Sequence, residues 1–256
     1  MIVVVLPAYN EEEAIGPLLV RIKRMIDQRG LQVTVILVDD GSTDGTIDRA
    51  RLHGDMDIHV IKHHYNQGLG EAIKTGLIAA LEIVGNEDII VTMDADDSHS
   101  PALIERMVNR IEEGSDMVIA SRYLPESRTI GLSRSRRLMS WGASLLFRTL
   151  CPIPGVRDYT CGYRAYRAGI LREAFQRWGK KFVEQSGFSC MVDILLKLSQ
   201  MPLVFSEVPM ILRYDRKPGA SKIDVRRTIF QTLRLLLRRR LGRYRTYVIS
   251  NGEHKG

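Results

Sequence analysis

Short apolar runs alternate with helical patterns along the first half of the chain, and this alternation most limits the possible fold. Each run has the length and β-branched content of a buried strand: Ile2–Leu6, Val33–Val38, Ile58–Ile61, Asp88–Met93 and Met117–Ala120. Asn10 follows the first run and is predicted to cap the first helix. Strands and helices in this order predict an α/β fold with a doubly wound, mostly parallel sheet.

Acidic loops follow three of these predicted strands. They contain Asn10-Glu11, Asp39-Asp40 and the pair Asp94 and Asp96. Ligands of open α/β sheets bind outside the carboxyl ends of the strands, so the three loops are expected to meet at one edge. Two carboxylates after an apolar run need a partner. Mg²⁺ or Mn²⁺ is that partner in one interpretation, and a solvated turn before Pro101 is the other.

Composition restricts the class of protein. A chain of 256 residues with 45% hydrophobic residues is long enough for one α/β domain with a large core. Its three cysteines lack the spacing of a disulfide framework or zinc site, which favours a reducing, cytosolic setting. We find no apolar run of about 18 residues, the length that a spanning helix needs. The amino-terminal run is too short and lacks the basic flank of a signal peptide.

Positive charge is concentrated near the carboxyl end. The formal net charge is +7, and residues 213–245 contain twelve Lys or Arg and two acids. The loop Arg216–Lys222 is rich in cations, Gly and Pro, and it suits phosphate binding or is simply solvated. Asp224–Leu241 has apolar residues at helical spacing and a cationic face. It predicts an interfacial helix on an anionic membrane.

The middle of the chain is less regular. Pro125–Arg137 predicts a polar loop that carries several arginines. Leu138–Leu150 predicts a helix with more apolar surface than one face needs, which fits a core helix or a helix at a membrane surface. Phe188–Leu198 is apolar apart from Asp193 and Lys197. An acid in such a stretch is expected to be functional or paired.

Six short motifs are distributed between residue 2 and about residue 225. They are Pro7-Ala8-Tyr9-Asn10-Glu11, Asp39-Asp40-Gly41-Ser42 with Asp44-Gly45-Thr46, Asp94-Ala95-Asp96 with His99 and Pro101, Ser121-Arg122-Tyr123, Gly162-Tyr163-Arg164-Ala165-Tyr166, and Arg216 with Gly219, Ser221 and Lys222. As a set they resemble family-2 glycosyltransferases. The most similar branch is the dolichyl-phosphate mannose synthase and polyprenyl-phosphate glycosyltransferase group.

This resemblance implies the nucleotide-sugar-binding fold called GT-A, with a catalytic domain at residues 1–222. It also implies a donor site whose nucleoside-binding residues are Pro7, Tyr9, Glu11, Asp40 and Asp94. A divalent cation, Mg²⁺ or Mn²⁺, would bridge the donor diphosphate. Residues 223–256 would form a basic amphipathic segment at the membrane surface.

The remaining roles also come from the resemblance. Asp94, Asp96 and Ser98 would hold the metal, although the family often has Gln where Ser98 stands. Arg122, Arg216 and Lys222 would face the donor diphosphate or the acceptor phosphate. These three cations, together with Asp96 and Asp193, are the candidate catalytic residues.

The expected reaction is an inverting, metal-dependent transfer of a sugar, with mannose favoured, to a polyprenyl phosphate. GDP-mannose is the favoured donor and a UDP-sugar the other option. The enzyme would lie on the cytoplasmic face of a membrane, bind its anionic surface and bind no nucleic acid. One alternative is transfer to a hydroxyl or soluble acceptor with Asp193 as base. A remote alternative is a non-catalytic basic module that binds membrane or nucleic acid.

Overall fold

The structure is a computed structural model that describes residues 1–132, 134–185, 187 and 189–216. Its strands are β1 (Ile2–Ala8), β2 (Val33–Asp39), β3 (Ile58–Lys62), β4 (Ile89–Thr92), β5 (Met117–Ser121), β6 (Arg128–Ile130), β7 (Arg164–Arg167), β8 (Phe205–Pro209) and β9 (Ile211–Arg213). Its α-helices are α1 (Glu12–Arg29), α2 (Thr46–Arg51), α3 (Leu69–Ile83), α4 (Leu103–Glu112), α5 (Arg134–Leu150), α6 (Ala168–Trp178) and α7 (Ser189–Leu198).

Seven of the described strands form one sheet in the order β3-β2-β1-β4-β7-β5-β8. Every pairing is parallel except those of β7, which runs antiparallel between β4 and β5. The predicted α/β class and mostly parallel sheet are therefore confirmed. Strand β7 has no apolar run, because it contains the buried Arg164, whose guanidinium donates to three backbone carbonyls instead of reaching solvent.

The core is built on β1, all seven residues of which are buried. Helix α3 packs closely over this strand at Gly76, where an added Cβ would lie 2.3 Å from Val5 Cγ1. Pro7 lies within β1, although proline is typical of turns. Its missing N–H is tolerated because the pairing of β1 with β4 ends at Val5, two residues earlier.

Three local predictions were wrong. Pro125–Arg137 is not simply a loop, since it contains β6 and the beginning of α5. The sequence of Val204–Leu212 predicts one late strand, but this segment contains two strands, β8 and β9, separated at Met210. Asn10 does not cap α1, because its backbone has a φ of 53° and the capping position belongs to Glu11.

A small second sheet brings the end of the described chain back to the main sheet. In this two-stranded sheet β9 pairs in parallel with β6. The Met210 N–H donates to the Ser121 carbonyl at 3.2 Å, and the Arg213 N–H donates to the Ser98 carbonyl at 2.9 Å. Lys222 and the predicted basic segment 223–256 lie outside the described residues.

Candidate active site

The carboxyl ends of β1, β2 and β4 meet at one edge of the sheet. Ala8 lies opposite Asp39, and Val5 lies opposite Thr92. The three acidic loops therefore begin on the same side of the molecule, as the parallel arrangement requires.

The loops after β1 and β2 hold each other in place. Asn10 Oδ1 accepts a hydrogen bond from the Thr43 N–H at 2.8 Å. The N–H of Glu12, at the start of α1, donates to Asp44 Oδ2 at 3.2 Å, and the Gly45 N–H donates to Glu12 Oε2 at 3.1 Å. Glu12 and Asp44 thus each accept a hydrogen bond from a backbone N–H at the start of the helix that follows the other strand. These bonds satisfy N–H groups that a helix leaves unpaired.

Asp40 organises a third segment at this edge. It is 3% exposed, and its Oδ1 accepts from the Gln67 N–H at 2.9 Å while its Oδ2 accepts from the Gly68 N–H at 2.8 Å. His63 Nδ1 lies 2.7 Å from Oδ1 as well. Asp40 therefore fixes the loop that opens α3. The other predicted nucleoside residues lie alongside: Pro7 is buried, and Tyr9 and Glu11 are partly exposed.

The loop after β4 presents one carboxylate to solvent and keeps another inside. The Asp94 side chain is 33% exposed, whereas Asp96 is 7% exposed. Asp96 Oδ1 accepts from the Ser98 N–H at 3.1 Å and from the Ser98 hydroxyl at 2.6 Å. Carboxylate and hydroxyl oxygens are the donor set that Mg²⁺ or Mn²⁺ takes, commonly together with substrate phosphates. The chemical types of these side chains therefore fit such an ion, although the described part of the chain contains no cluster of three or more His, Cys, Asp or Glu side chains that could hold one.

Neighbouring side chains support the same loop. His99 Nε2 lies 4.0 Å from Asp94 Oδ2, and the His99 ring stacks on Tyr163 at 5.0 Å between centroids. His99 Nδ1 is buried without a hydrogen-bond partner among the described residues. On the other side Arg21 of α1 forms an ion pair with Asp97, whose φ is 63°.

Arg122 follows β5 and is bound tightly by Asp158. Its Nε donates to Asp158 Oδ2 at 2.8 Å and its Nη2 to Oδ1 at 2.7 Å. Burial disfavours the charge on Asp158, but the charge and hydrogen bonds of Arg122 outweigh burial and lower the pKa of this carboxyl. The sequence placed Arg122 at a phosphate and did not identify the carboxylate that holds it.

Asp193 is fully buried in α7 and is paired. Its Oδ2 accepts from Lys197 Nζ at 2.7 Å, and Lys197 is itself only 2% exposed. Cys190 of the same helix is also buried. Burial raises the pKa of its thiol to about 12, and the charges of Asp193 and Asp94 raise it as well.

Arg216 is exposed at the end of the short 3₁₀ turn Tyr214–Arg216. Burial lowers the pKa of Arg21, and the positive charges of Arg216 and Arg213 lower it further. Arg216 therefore lies close enough to the Arg21–Asp97 pair to act on it electrostatically. Lys222, its predicted companion, is outside the part of the chain that the structure describes.

A cavity of about 540 Å³ opens beside Arg122, between α5 and the small sheet. Arg128 and Arg148 add two further cations to its wall. Aromatic and aliphatic side chains supply most of the rest: Tyr123, Ile130, Leu132, Trp141, Leu145, Leu212 and Tyr214. A wall of arginines and apolar groups can hold an amphipathic anion, with the charge at the arginines and the apolar part along the helix.

Sequence reasoning missed Asp158, Arg128 and Arg148. Asp158 lies in a segment without periodicity. Arg128 and Arg148 have the pattern of ordinary charged residues in a loop and a helix. Only the Ser-Arg-Tyr motif ending β5 could have directed attention to this region. None of the helices that the structure describes combines the length and the apolar content needed to span a bilayer.

Known proteins are similar to this chain in sequence. The profile of glycosyl transferase family 2 matches residues 3–175. Undecaprenyl-phosphate mannosyltransferase of Micrococcus luteus is 33% identical over 225 residues, 87% of each chain. Polyprenol monophosphomannose synthase of Mycolicibacterium smegmatis is 31% identical over 251 residues, 96% of this chain and 90% of the relative. Dolichol-phosphate mannosyltransferase of Pyrococcus furiosus is 32% identical over 237 residues, 92% of this chain and 62% of the relative.

A solved structure supports the fold. Glucosyl-3-phosphoglycerate synthase of Mycobacterium tuberculosis, in complex with Mn²⁺, UDP and glucosyl-3-phosphoglycerate, superposes with a TM-score of 0.66 at 24% identity. The match covers 94% of this chain and 80% of that one. Together with the acidic sheet edge and the length of the family match, these likenesses show that the chain is a glycosyltransferase with the GT-A fold and belongs to glycosyl transferase family 2.

Proposed function

We propose that this glycosyltransferase moves a sugar, with mannose favoured, from a nucleotide-diphosphate sugar to a polyprenyl phosphate, with inversion at the anomeric carbon. The observation that carries the proposal is the cavity beside Arg122, which combines arginines with an apolar wall. A polyprenyl phosphate has the same two parts, a dianionic head and an apolar chain. The names of the bacterial and archaeal relatives point to acceptors of this class.

The acidic edge is the proposed donor site. Pro7, Tyr9, Glu11 and Asp94 would contact the nucleoside, and Asp40 would shape its pocket through the loop before α3. GDP-mannose is the favoured donor and a UDP-sugar the other option.

Asp94, Asp96 and Ser98 are the proposed ligands of Mg²⁺ or Mn²⁺ at the donor diphosphate. Such an ion neutralises negative charge on the departing diphosphate. Support comes from the oxygen donor set of this loop and from the Mn²⁺ named in the complex of the M. tuberculosis enzyme. Arg216, beside the same loop, and Lys222 are proposed to add positive charge there.

An acceptor phosphate requires little help to become a nucleophile. Its second pKa is about 6, so it is largely ionised at neutral pH. One of its oxygens would attack the anomeric carbon while the bond from that carbon to the diphosphate oxygen breaks. Arg122, Arg128 and Arg148 would hold the phosphate in place for this step.

The state of Asp193 bears on the alternative acceptor. Transfer to a hydroxyl requires a general base, and Asp193 was the candidate. In the structure its carboxylate is fully buried and forms an ion pair with Lys197, so it is not exposed to the hydroxyl of a substrate. This pairing favours the phosphate acceptor over the hydroxyl acceptor.

A membrane surface is the proposed location of the acceptor side. Four large apolar side chains of α5 are at least 40% exposed: Trp141, Leu145, Leu146 and Leu150. We propose that this face, together with the basic segment 223–256, contacts the anionic cytoplasmic face of a membrane.

A transfer assay tests the proposal. Radiolabelled GDP-mannose, UDP-glucose and UDP-N-acetylglucosamine are each incubated with the enzyme, a polyprenyl phosphate and Mg²⁺ or Mn²⁺. We expect label in the organic phase with GDP-mannose, and its loss when EDTA replaces the metal. Label that enters only water-soluble products, with every donor, would contradict a polyprenyl phosphate acceptor. Label that persists in EDTA would contradict the metal.

A further inference from the structure

One carboxylate fixes the direction of Arg122. Asp158 accepts from Nε and Nη2 of the guanidinium and, at 3.0 Å, from the Arg122 backbone N–H. Nη2 also donates to the Thr160 hydroxyl. Nη1 has no hydrogen-bond partner among the residues that the structure describes, and Arg122 lines the cavity. One edge of the guanidinium is therefore bound, and Nη1 is the group left to meet a ligand.

The carboxylate of Asp158 is in turn fully occupied. Besides its three bonds from Arg122 it accepts from the backbone N–H groups of Thr160 and Cys161, at 3.3 and 3.1 Å. It is 0% exposed, and its lowered pKa keeps it ionised. A buried carboxylate with five donors around it is poorly placed to take a proton from a substrate, so its role is to hold rather than to react.

Glu207 fixes the position of Asp158 from behind. Its Oε1 accepts from the backbone N–H groups of Arg157 and Asp158, both at 2.6 Å. Glu207 belongs to β8 and lies opposite Ile119 of β5, the strand that ends just before Arg122. The loop that carries Asp158 is therefore tied to the same part of the sheet that carries Arg122.

We propose that Asp158, held by Glu207, is a positioning residue that aims Nη1 of Arg122 at the phosphate of the acceptor. This inference rests on the proposed function, since it names the acceptor phosphate as the group that Arg122 meets. It explains why an arginine beside an open cavity is bound by a buried acid. A guanidinium locked on one edge loses less conformational freedom when the other edge binds a ligand.

Binding of short acceptor analogues tests the proposal without turnover. Calorimetry measures the affinity of the enzyme for farnesyl phosphate and for farnesol, and the ratio reports phosphate recognition. We expect the wild type to prefer the phosphate, and Asp158→Asn and Arg122→Ala each to lose about tenfold of that preference. The double variant should lose no more than either single variant. The exposed Glu113→Ala serves as the control and should match the wild type.

Guanidinium rescue separates positioning from mere support. Millimolar guanidinium should restore phosphate preference to Arg122→Ala, because Asp158 can bind the free cation. It should not restore that preference to Arg122→Ala/Asp158→Asn. Equal rescue of both variants would overturn the proposal.

Glu207 provides a second test should Asp158→Asn fold poorly. Glu207→Ala removes the acceptor of two N–H groups and should lose phosphate preference and raise the acceptor KM about tenfold, with the donor KM unchanged. Glu207→Gln keeps an oxygen acceptor and should behave like the wild type. If Glu207→Ala melts at a lower temperature but keeps full phosphate preference, its role is only structural and the proposal is wrong.

The two proposals can fail separately. If the wild type prefers farnesyl phosphate and the variants behave as expected, but no sugar reaches any polyprenyl phosphate, the transfer reaction is wrong and the positioning role stands. If sugar is transferred to the lipid but the phosphate preference survives Asp158→Asn and Glu207→Ala, the positioning role is wrong and the reaction stands.

Discussion

The acidic sheet edge and the cavity beside Arg122 are built differently. On the side that we propose for the donor, loops that follow parallel strands and the starts of the next helices bind one another through carboxylates and backbone N–H groups, as Glu12, Asp44 and Asp40 show. On the side that we propose for the acceptor, arginines that follow β5 or belong to β6 and α5 line a cavity with an apolar wall, and the carboxylate of Asp158 is buried. One side is acidic and the other is basic and apolar.

This difference matches the two substrates that we propose. A nucleotide-diphosphate sugar that binds through a divalent cation needs oxygen ligands, which the donor side supplies. A lipid phosphate that binds without a cation needs arginines and apolar surface, which the acceptor side supplies. A divalent cation on one side and arginines on the other would each neutralise one anionic substrate, so that the two substrates could approach each other in one site.

The largest effect is expected from the donor side. Asp96→Asn should lower kcat about 10²- to 10³-fold, because charge on the departing diphosphate would no longer be neutralised. Transfer of radiolabelled sugar at saturating substrates measures this loss. The exposed Asp55→Asn is the matched control and should retain full activity. Full turnover by Asp96→Asn would show that Asp96 is not a ligand of a catalytic metal ion.

A pair of glycines compares the two sides directly. An added Cβ at Gly41, φ 74°, would lie 2.5 Å from the Tyr65 carbonyl carbon, and at Gly155, φ 81°, it would lie 2.1 Å from the Phe205 carbonyl oxygen. Each Gly→Ala change should cost about 1–3 kcal/mol of unfolding free energy. We expect Gly41→Ala to raise the donor KM and Gly155→Ala to raise the acceptor KM.

Thermal or urea unfolding and the two KM values check this comparison. Gly142→Ala, on α5 where a Cβ meets nothing within 4 Å, is the control and should be neutral or slightly stabilising. If both substitutions raise the same KM, the division into donor and acceptor sides is wrong.

The buried acid of the acceptor side should show in acid unfolding. The pKa of Asp158 is lower in the folded state than the value of about 3.9 in the unfolded chain. Its contribution to stability is therefore present above pH 3.9 and is lost as the pH falls through the folded-state pKa. Asp158→Asn removes this carboxyl. The unfolding free energy of the variant should therefore fall less on acidification than that of the wild type, by roughly 1 kcal/mol per unit of pKa shift. Urea unfolding between pH 2 and 6 measures it, and parallel curves for both proteins would contradict it.

The smallest effect concerns the membrane. Replacing Trp141 and Leu145 together by Ser removes exposed apolar surface from α5 and should reduce binding to anionic liposomes severalfold. Leu52→Ser, which changes a side chain that is 74% exposed after α2 on the donor side, is the control. Liposome flotation compares them. Equal flotation of all three proteins would remove α5 from the proposed membrane contact.

The sequence alone predicted the features that depend on the order of neighbouring residues. Apolar runs followed by acids placed Asp40, Asp94 and Asp96 at one sheet edge, because parallel strands with helical connections must end together. The six motifs pointed to the family, and residues 3–175 match it. The pattern also sufficed for the sheet class and for the Leu138–Leu150 part of α5, since a helical or alternating period is a property of neighbouring residues.

Tertiary structure alone decided the side that we propose for the acceptor. The antiparallel insertion of β7 and the parallel pairing of β6 with β9 depend on which segments meet in space. Arg122 and Asp158 are 36 residues apart, and Asp158 and Glu207 are 49 apart. No period or motif in the sequence encodes such contacts. They arise because a buried carboxylate must find donors wherever the folded chain brings them.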